Sequence, residues 1–383
     1  MYDRLISFVR EQFATNDFIP LHAPVFRGRE SELVLDTINS TFVSSVGAYV
    51  DRFERDTAVY CGSPRAVAVV NGTAALHVAL VLAGVQRDDL VVTQSLTFVA
   101  TCNAITYCGA QPLFIDVDRC TMGLSPAALD AWLQDNALVD DAGECRTQDG
   151  LRRIRACVPM HTFGHPVDLD ALVAVCDRWH LVLIEDAAES MGSYYKGRHT
   201  GTFGDIGVLS FNGNKIMTTG GGGMLLLDEA LGKRAKHLTT TAKIPHPNEF
   251  FHDEVGYNYR LPNLNAALGC AQLEQLPAFI KSKRVLSERY ISFFSGSDLQ
   301  PIIEPPDCRS NYWLNGVICE TASKRDDLLK ATNYAGVMTR PIWTLMSRLP
   351  MYANAPQGPL CNSEWLAERV VNLPSSVLPL SLI

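Results

Sequence analysis

The 383-residue chain predicts an α/β protein, with a mostly parallel seven-stranded sheet between helices and a smaller α+β domain after it. Three observations predict this. The length exceeds what one ordinary small core holds, so a large and a small unit are expected. From about Arg65 to Leu227, short apolar runs alternate with helical patterns, the rhythm of strands covered on both faces by crossover helices. From about Leu276 that rhythm stops. The expected division is 1–275 for the large domain and 276–383 for the small one, with residues 1–35 packing back on the small domain.

The elements follow in order. Met1 to Phe13 mixes Asp3, Arg4, Arg10 and Glu11 with apolar residues, which suits an amphipathic helix better than a secretory leader. Arg65-Ala-Val-Ala-Val-Val70 reads as a strand and Thr73 to Leu82 as the helix after it. Leu90 to Thr93 is a strand, followed by a helix from Phe98 to Tyr107. Pro112 to Asp116 is a strand, with a helix over Ser125 to Leu133. Gln134 to Arg153 is charged and irregular, an excursion from the sheet. Ile154 to Val158 is a strand, Asp168 to Trp179 a helix, and Leu181 to Ile184 a strand. Ile206 to Phe211 and Gly223 to Leu227 are two more strands flanking a glycine-rich turn. A long helix through Arg284 and Arg289 then leads to strands at Ile302 to Glu304 and Tyr312 to Cys319, and a helix near Arg325 to Thr332.

Composition narrows the function. The formal charge is 33 − 41 = −8 and no Lys/Arg run is present, so a nucleic-acid surface is not expected. No apolar stretch reaches membrane-spanning length. The eleven cysteines lie at irregular spacings with no C-x-x-C, and the nine histidines do not cluster with them. Buried thiols in a reducing cytosol, and no structural metal, are the expectation.

Three sequence features suggest parts of one site. Lys215 lies in Ser210-Phe-Asn-Gly-Asn-Lys215, ahead of four glycines and without a charged neighbour between Asp205 and Asp228. An amine there, with glycines admitting a ligand closely, suits a Schiff base. Asp186 ends an apolar run, where open α/β sheets bind ligands; a carboxylate there can pair with a pyridinium nitrogen, or simply cap a helix. Glu185 beside it points to the opposite side. Gly72-Thr73 opens a helix after a strand, a place that favours a phosphate, though Thr73 also suits an N-cap. Ser210 could add a hydroxyl, and Phe98 could stack on a ring or fill the core. Amine, carboxylate and phosphate cradle together describe pyridoxal 5'-phosphate.

Four segments occur in the order of a known family: Asn71-Gly-Thr-Ala-Ala-Leu76, Glu185-Asp-Ala-Ala-Glu-Ser-Met-Gly192, Ser210 to Lys215, and Gly256-Tyr-Asn-Tyr-Arg260. From about Ile19 to the end, the chain resembles the DegT/StrS sugar aminotransferases of the aspartate-aminotransferase fold. The resemblance implies that Lys215 carries the cofactor and moves the proton, and that Asp186 pairs with the pyridine nitrogen. It implies that Gly72, Thr73 and Ser210 hold the phosphate, and that Phe98 covers the ring. Asn258 would reach a partner subunit's phosphate site, which implies a homodimer. Glu189 stands where many relatives carry a glutamine next to the cofactor's phenolic oxygen.

Pro20 to Phe26, Ser44 to Glu54 and Thr339 to Trp343 resemble the bacillosamine/legionaminic-acid branch. That branch implies amine transfer from L-glutamate to C4 of a UDP-linked 4-keto-6-deoxy-N-acetylhexosamine in the cytoplasm, with pyridoxamine 5'-phosphate in between. Lys243, Tyr259, Arg260 and Arg340 are the implied substrate residues. GDP- or dTDP-linked sugars and C3 amination are the nearest alternatives. A sugar dehydratase on the same scaffold would carry histidine at 215, and a non-catalytic binder could lose Lys215 or Asp186.

Overall fold

The computed structural model describes residues 1–382. Seven strands form the main sheet: β1 (Arg65–Val69), β2 (Leu90–Gln94), β3 (Gln111–Ile115), β4 (Ile154–Val158), β5 (Val182–Asp186), β6 (Ile206–Ser210) and β7 (Gly223–Leu227). Their spatial order is β1-β7-β6-β5-β4-β2-β3. Every pairing between β3 and β6 is parallel, and only β7 runs against its neighbours. The expected sheet is therefore present strand for strand. Its strands are buried almost throughout, as a sheet covered on both faces requires.

Helices α1 (Tyr2–Phe13), α2 (Glu30–Asn39) and α3 (Ala48–Cys61) precede the sheet. Between the strands lie α4 (Gly72–Leu82), α5 (Val99–Tyr107), α6 (Pro126–Asn136) and α7 (Leu169–Arg178); α8 (Glu229–Thr239) follows β7. Helix α4 is apolar around most of its circumference because it is wedged between the sheet, α5 and α8. The excursion at 134–153 contains a short hairpin that pairs Ala137–Val139 with Cys145–Thr147.

Helix α9 (Asn263–Phe294) differs from expectation in starting well before Leu276. Pro277 lies inside it, and a proline at that position reads locally as a break. Packing against α2 and α3 holds the helix continuous across that residue. Beyond α9, a four-stranded antiparallel sheet comprises β8 (Gln300–Pro301), β9 (Asn315–Ile318), β10 (Arg340–Pro341) and β11 (Val370–Leu373), in the order β8-β9-β11-β10. The first two strands are shorter or shifted relative to the expected Ile302–Glu304 and Tyr312–Cys319. Helices α10 (Ala322–Tyr334) and α11 (Cys361–Ala367) complete this part.

The N-terminal segment reaches across to these last elements. Leu5, Val9 and Ile19 share one buried cluster with Leu286, Val317, Leu328 and Val371, and Ile19 bridges to Val337. No helix among the described residues is long and apolar enough to cross a membrane. All eleven cysteines are free, and seven of them are buried.

Candidate active site

The carboxyl ends of β1, β5 and β6 converge on a cleft of about 320 Å³, within the range of small-molecule sites. Its lining includes Gly72, Thr73, Phe98, Asp186, Glu189, Ser210 and Lys215. Seven of the sequence-predicted site residues, scattered over 144 positions from 72 to 215, thus meet at one place.

The floor is Asp186. It ends β5, is 2% exposed, and accepts hydrogen bonds from the Thr101 hydroxyl at 2.8 Å and the Ala188 amide at 3.2 Å. Burial pushes its carboxyl above the ordinary value, and these bonds and the Lys215 charge only partly offset that. Its neighbour Glu185 faces away, as strand alternation requires. It accepts from the amides of Gly201, Phe203 and Gly204 and contacts His161 Nε2 at 3.0 Å. Burial raises the Glu185 carboxyl, but the His161 contact and these amides outweigh it and hold it low, as suits an anchor for the following loop.

One wall is the start of α4. Asn71, rather than Thr73, caps the helix: its side chain accepts from the Ala74 amide at 2.8 Å. That leaves the Gly72 and Thr73 amides at the helix start without a partner among the described residues. A Cβ at Gly72 would stand 2.9 Å from Ser210 Cβ, so only glycine lets α4 approach the end of β6 this closely. Neither the Thr73 nor the Ser210 hydroxyl has a protein partner among the described residues.

The turn between β6 and β7 carries Lys215. Antiparallel pairing of Ser210 with Gly223 closes its base, the Thr219 N–H donates to Phe211 O above it, and the Lys215 N–H donates to Asn212 O. Lys215 Nζ lies 3.4 Å from Glu189 Oε1 and 4.2 Å from the centroid of the Trp313 ring. Glu189 is 3% exposed and takes a 2.9 Å bond from the Phe163 amide on its other oxygen. Burial raises its carboxyl to about 7, with the nearby Lys215 working against the rise. Phe163 itself holds φ 57°, a strained conformation for a side chain of its size, and packs on Trp343. Phe98 is the N-cap of α5 rather than its first turn, and at 49% exposed it stands at the mouth.

The other predicted residues lie outside this cleft. Asn258 is exposed, and its backbone bridges Thr240. Tyr259 stacks on Tyr257, with its hydroxyl 3.3 Å from His77 Nδ1 on α4. Arg260 bridges Val69 at the sheet edge and lines a neighbouring hollow with Ser45, Asp51 and Lys236; its Nε is buried without a partner. Lys243 lies over the Phe250 ring, and Arg340 bonds Thr339 O and Asn333. Trp313, Trp343 and Thr101 were not among the predicted residues. Trp313 lies in an apolar run ahead of a strand, and nothing local distinguishes it from core.

These groups fit pyridoxal phosphate. Two free amides and two free hydroxyls surround a hollow that a Cβ would close, which suits a phosphate. A buried carboxylate in need of a cationic partner suits the pyridinium nitrogen, and an amine stands nearby. Fold and site together define a pyridoxal-phosphate-dependent transaminase of fold type I. More narrowly, the chain belongs to the DegT/DnrJ/EryC1/StrS aminotransferase family, whose model matches residues 25–378. It is 36% identical over 360 residues to the GDP-perosamine synthase of Escherichia coli O157:H7, covering 94% of this chain and 93% of that one. It is 34% identical to the GDP-perosamine synthase of Caulobacter vibrioides, covering 93% of each. The crystal structure of the aminotransferase TlmJ from Streptoalloteichus hindustanus superposes with a TM-score of 0.84 at 30% identity, over 95% of each chain. These relatives support the family without singling out the bacillosamine/legionaminic-acid branch.

Proposed function

We propose that this sugar aminotransferase moves an amino group from L-glutamate to C4 of a GDP-linked 4-keto-6-deoxyhexose. The observation that carries the transfer chemistry is the meeting of Lys215, Asp186 and the Gly72–Ser210 hollow in one cleft. The choice of nucleotide and position rests on likeness to relatives named for a GDP-linked 4-amino sugar. The sequence motifs at Pro20–Phe26, Ser44–Glu54 and Thr339–Trp343 favour the second reading, a UDP-linked N-acetylhexosamine.

Bound pyridoxal phosphate supplies an electron sink for the carbon that bears the reacting nitrogen. The chain's residues supply the rest. The α4 amides at Gly72 and Thr73, with the Thr73 and Ser210 hydroxyls, bind the phosphate. Asp186 keeps the pyridine nitrogen protonated. Phe98 covers one face of the ring. Lys215 Nζ takes the proton from the α-carbon of L-glutamate and, in the second half, returns one to C4 of the sugar. One amine on one face serves both halves, so no second base is required. Asn258 completes the phosphate site of a neighbouring subunit in a homodimer. Arg260, with its unpartnered buried Nε, is the leading cation for the substrate diphosphate, and Lys243 and Arg340 are the further candidates.

The test is an amine-transfer assay with L-glutamate and GDP-, UDP- and dTDP-linked 4-keto-6-deoxy sugars. We expect 2-oxoglutarate and a 4-amino sugar, with the GDP substrate fastest. In Lys215→Ala, the visible cofactor band disappears and turnover falls by at least about 10³-fold. A deoxygenated or 3-amino product, or turnover surviving in Lys215→Ala, would overturn the reading.

A further inference from the structure

We propose that Trp313 is a positioning residue for Lys215: its indole face holds the free amine whenever the lysine is not bonded to the cofactor. The inference rests on the reading of Lys215 as the amine that moves the proton. That reading leaves a physical problem. Each half-reaction frees a side chain with four rotatable carbons, and its amine must stay within reach of the reacting carbon. Left to electrostatics alone, it would settle on the buried carboxyl of Glu189, 3.4 Å away, as an ion pair.

The second contact answers this. Lys215 Nζ lies 4.2 Å from the Trp313 centroid, a cation–π distance, on a ring that is 4% exposed. The indole N–H is already committed: it donates to Asn214 O at 2.7 Å, the residue just before Lys215. One side chain therefore ties down the turn and offers its π-face to the amine at the end of that turn. Its backbone is fixed from both directions. The Trp313 amide donates to Asn311 Oδ1 at 2.8 Å, and its carbonyl accepts from Lys283 Nζ at 3.0 Å, a lysine with no exposed surface. An indole face attracts an ammonium but cannot take its proton and holds it weakly enough to release it. Glu189, by contrast, is an acceptor 3.4 Å away that can take that proton and holds the ammonium as an ion pair.

The test compares Trp313→Phe, which keeps a face and loses the N–H, with Trp313→Leu, which loses both. Three quantities are measured: the rate at which added pyridoxal phosphate becomes lysine-linked (by absorbance), kcat and KM for L-glutamate, and the isotope effect with α-deuterated L-glutamate. For Trp313→Leu we expect linkage and kcat slowed by about 5- to 30-fold, the range a lost cation–π contact allows. KM should stay within about 2-fold, and the isotope effect should rise as proton transfer becomes limiting. Trp313→Phe should recover most of the loss. If Phe is as impaired as Leu, the N–H anchor matters and the face does not, and the proposal fails. It fails equally if Leu changes only KM or only the melting temperature. If Leu does not fold, Trp313→Met replaces it as the ringless variant. Turnover surviving in Lys215→Ala would instead sink the underlying reading of Lys215.

Discussion

At the residue scale, two buried ionisable groups carry opposite pH signatures. Glu189 has its carboxyl raised from 4.5 to about 7, so between those values the folded state holds a proton that the unfolded state has lost. Its contribution is complete below about pH 4.5 and is lost as pH rises through 7. In the cofactor-free protein, Glu189→Gln should therefore gain on the wild type across that window, by up to about 1.4 kcal/mol per pH unit. Lys283 runs the other way. Burial lowers its amine from 10.5 to about 7, so between 7 and 10.5 the unfolded state binds the extra proton. The wild type should gain on Lys283→Met as pH rises through that range. Denaturant titrations of the three proteins at several pH values check both slopes, and a pH-independent difference in either pair would count against that assignment.

At the element scale, the start of α4 is shaped by what it leaves out. Gly72→Ala would place a methyl 2.9 Å from Ser210 Cβ, in the hollow assigned to the phosphate. We expect at least about tenfold weaker pyridoxal-phosphate affinity, measured by titration, together with a lower melting temperature of the cofactor-free protein, because Ser210 Cβ is fixed to its strand and the overpacking, about 1–3 kcal/mol, outweighs alanine's better helix propensity. The strands and the residues at their ends were legible in the sequence because local pattern carries them: β5 ending at Asp186, the glycine turn bearing Lys215, and Gly72-Thr73 after β1. The long reach of α9 was not, since Pro277 reads as a break and only packing on α2 and α3 overrides it. Trp313 was hidden for a related reason. Its importance comes from the position of Lys215, 98 residues earlier in the chain, which no local pattern encodes. Asn71 took the capping position open to Thr73 because its carboxamide reaches the Ala74 amide from two residues further back.

At the scale of the whole molecule, the proposed homodimer makes a prediction that neither residue makes alone. Lys215→Ala removes the amine of its own site, whereas Asn258→Ala would damage the neighbour's site. Each variant alone should be impaired. Co-expressed in equal amounts, half the dimers would be mixed and each mixed dimer would hold one intact site, restoring about a quarter of wild-type turnover. Activity no greater than the average of the separate variants would show that Asn258 serves its own chain or none. The closure of α1 against the last elements has a consequence of another kind, for synthesis. Leu5, Val9 and Ile19 find their partners Val317, Leu328 and Val337 only after some 300 further residues have been made. At ordinary translation rates, the apolar face of that amphipathic helix leaves the ribosome roughly 15–60 s before its partners exist. This early-made segment is thus among the last to be buried, and in the meantime it is the natural target for a chaperone.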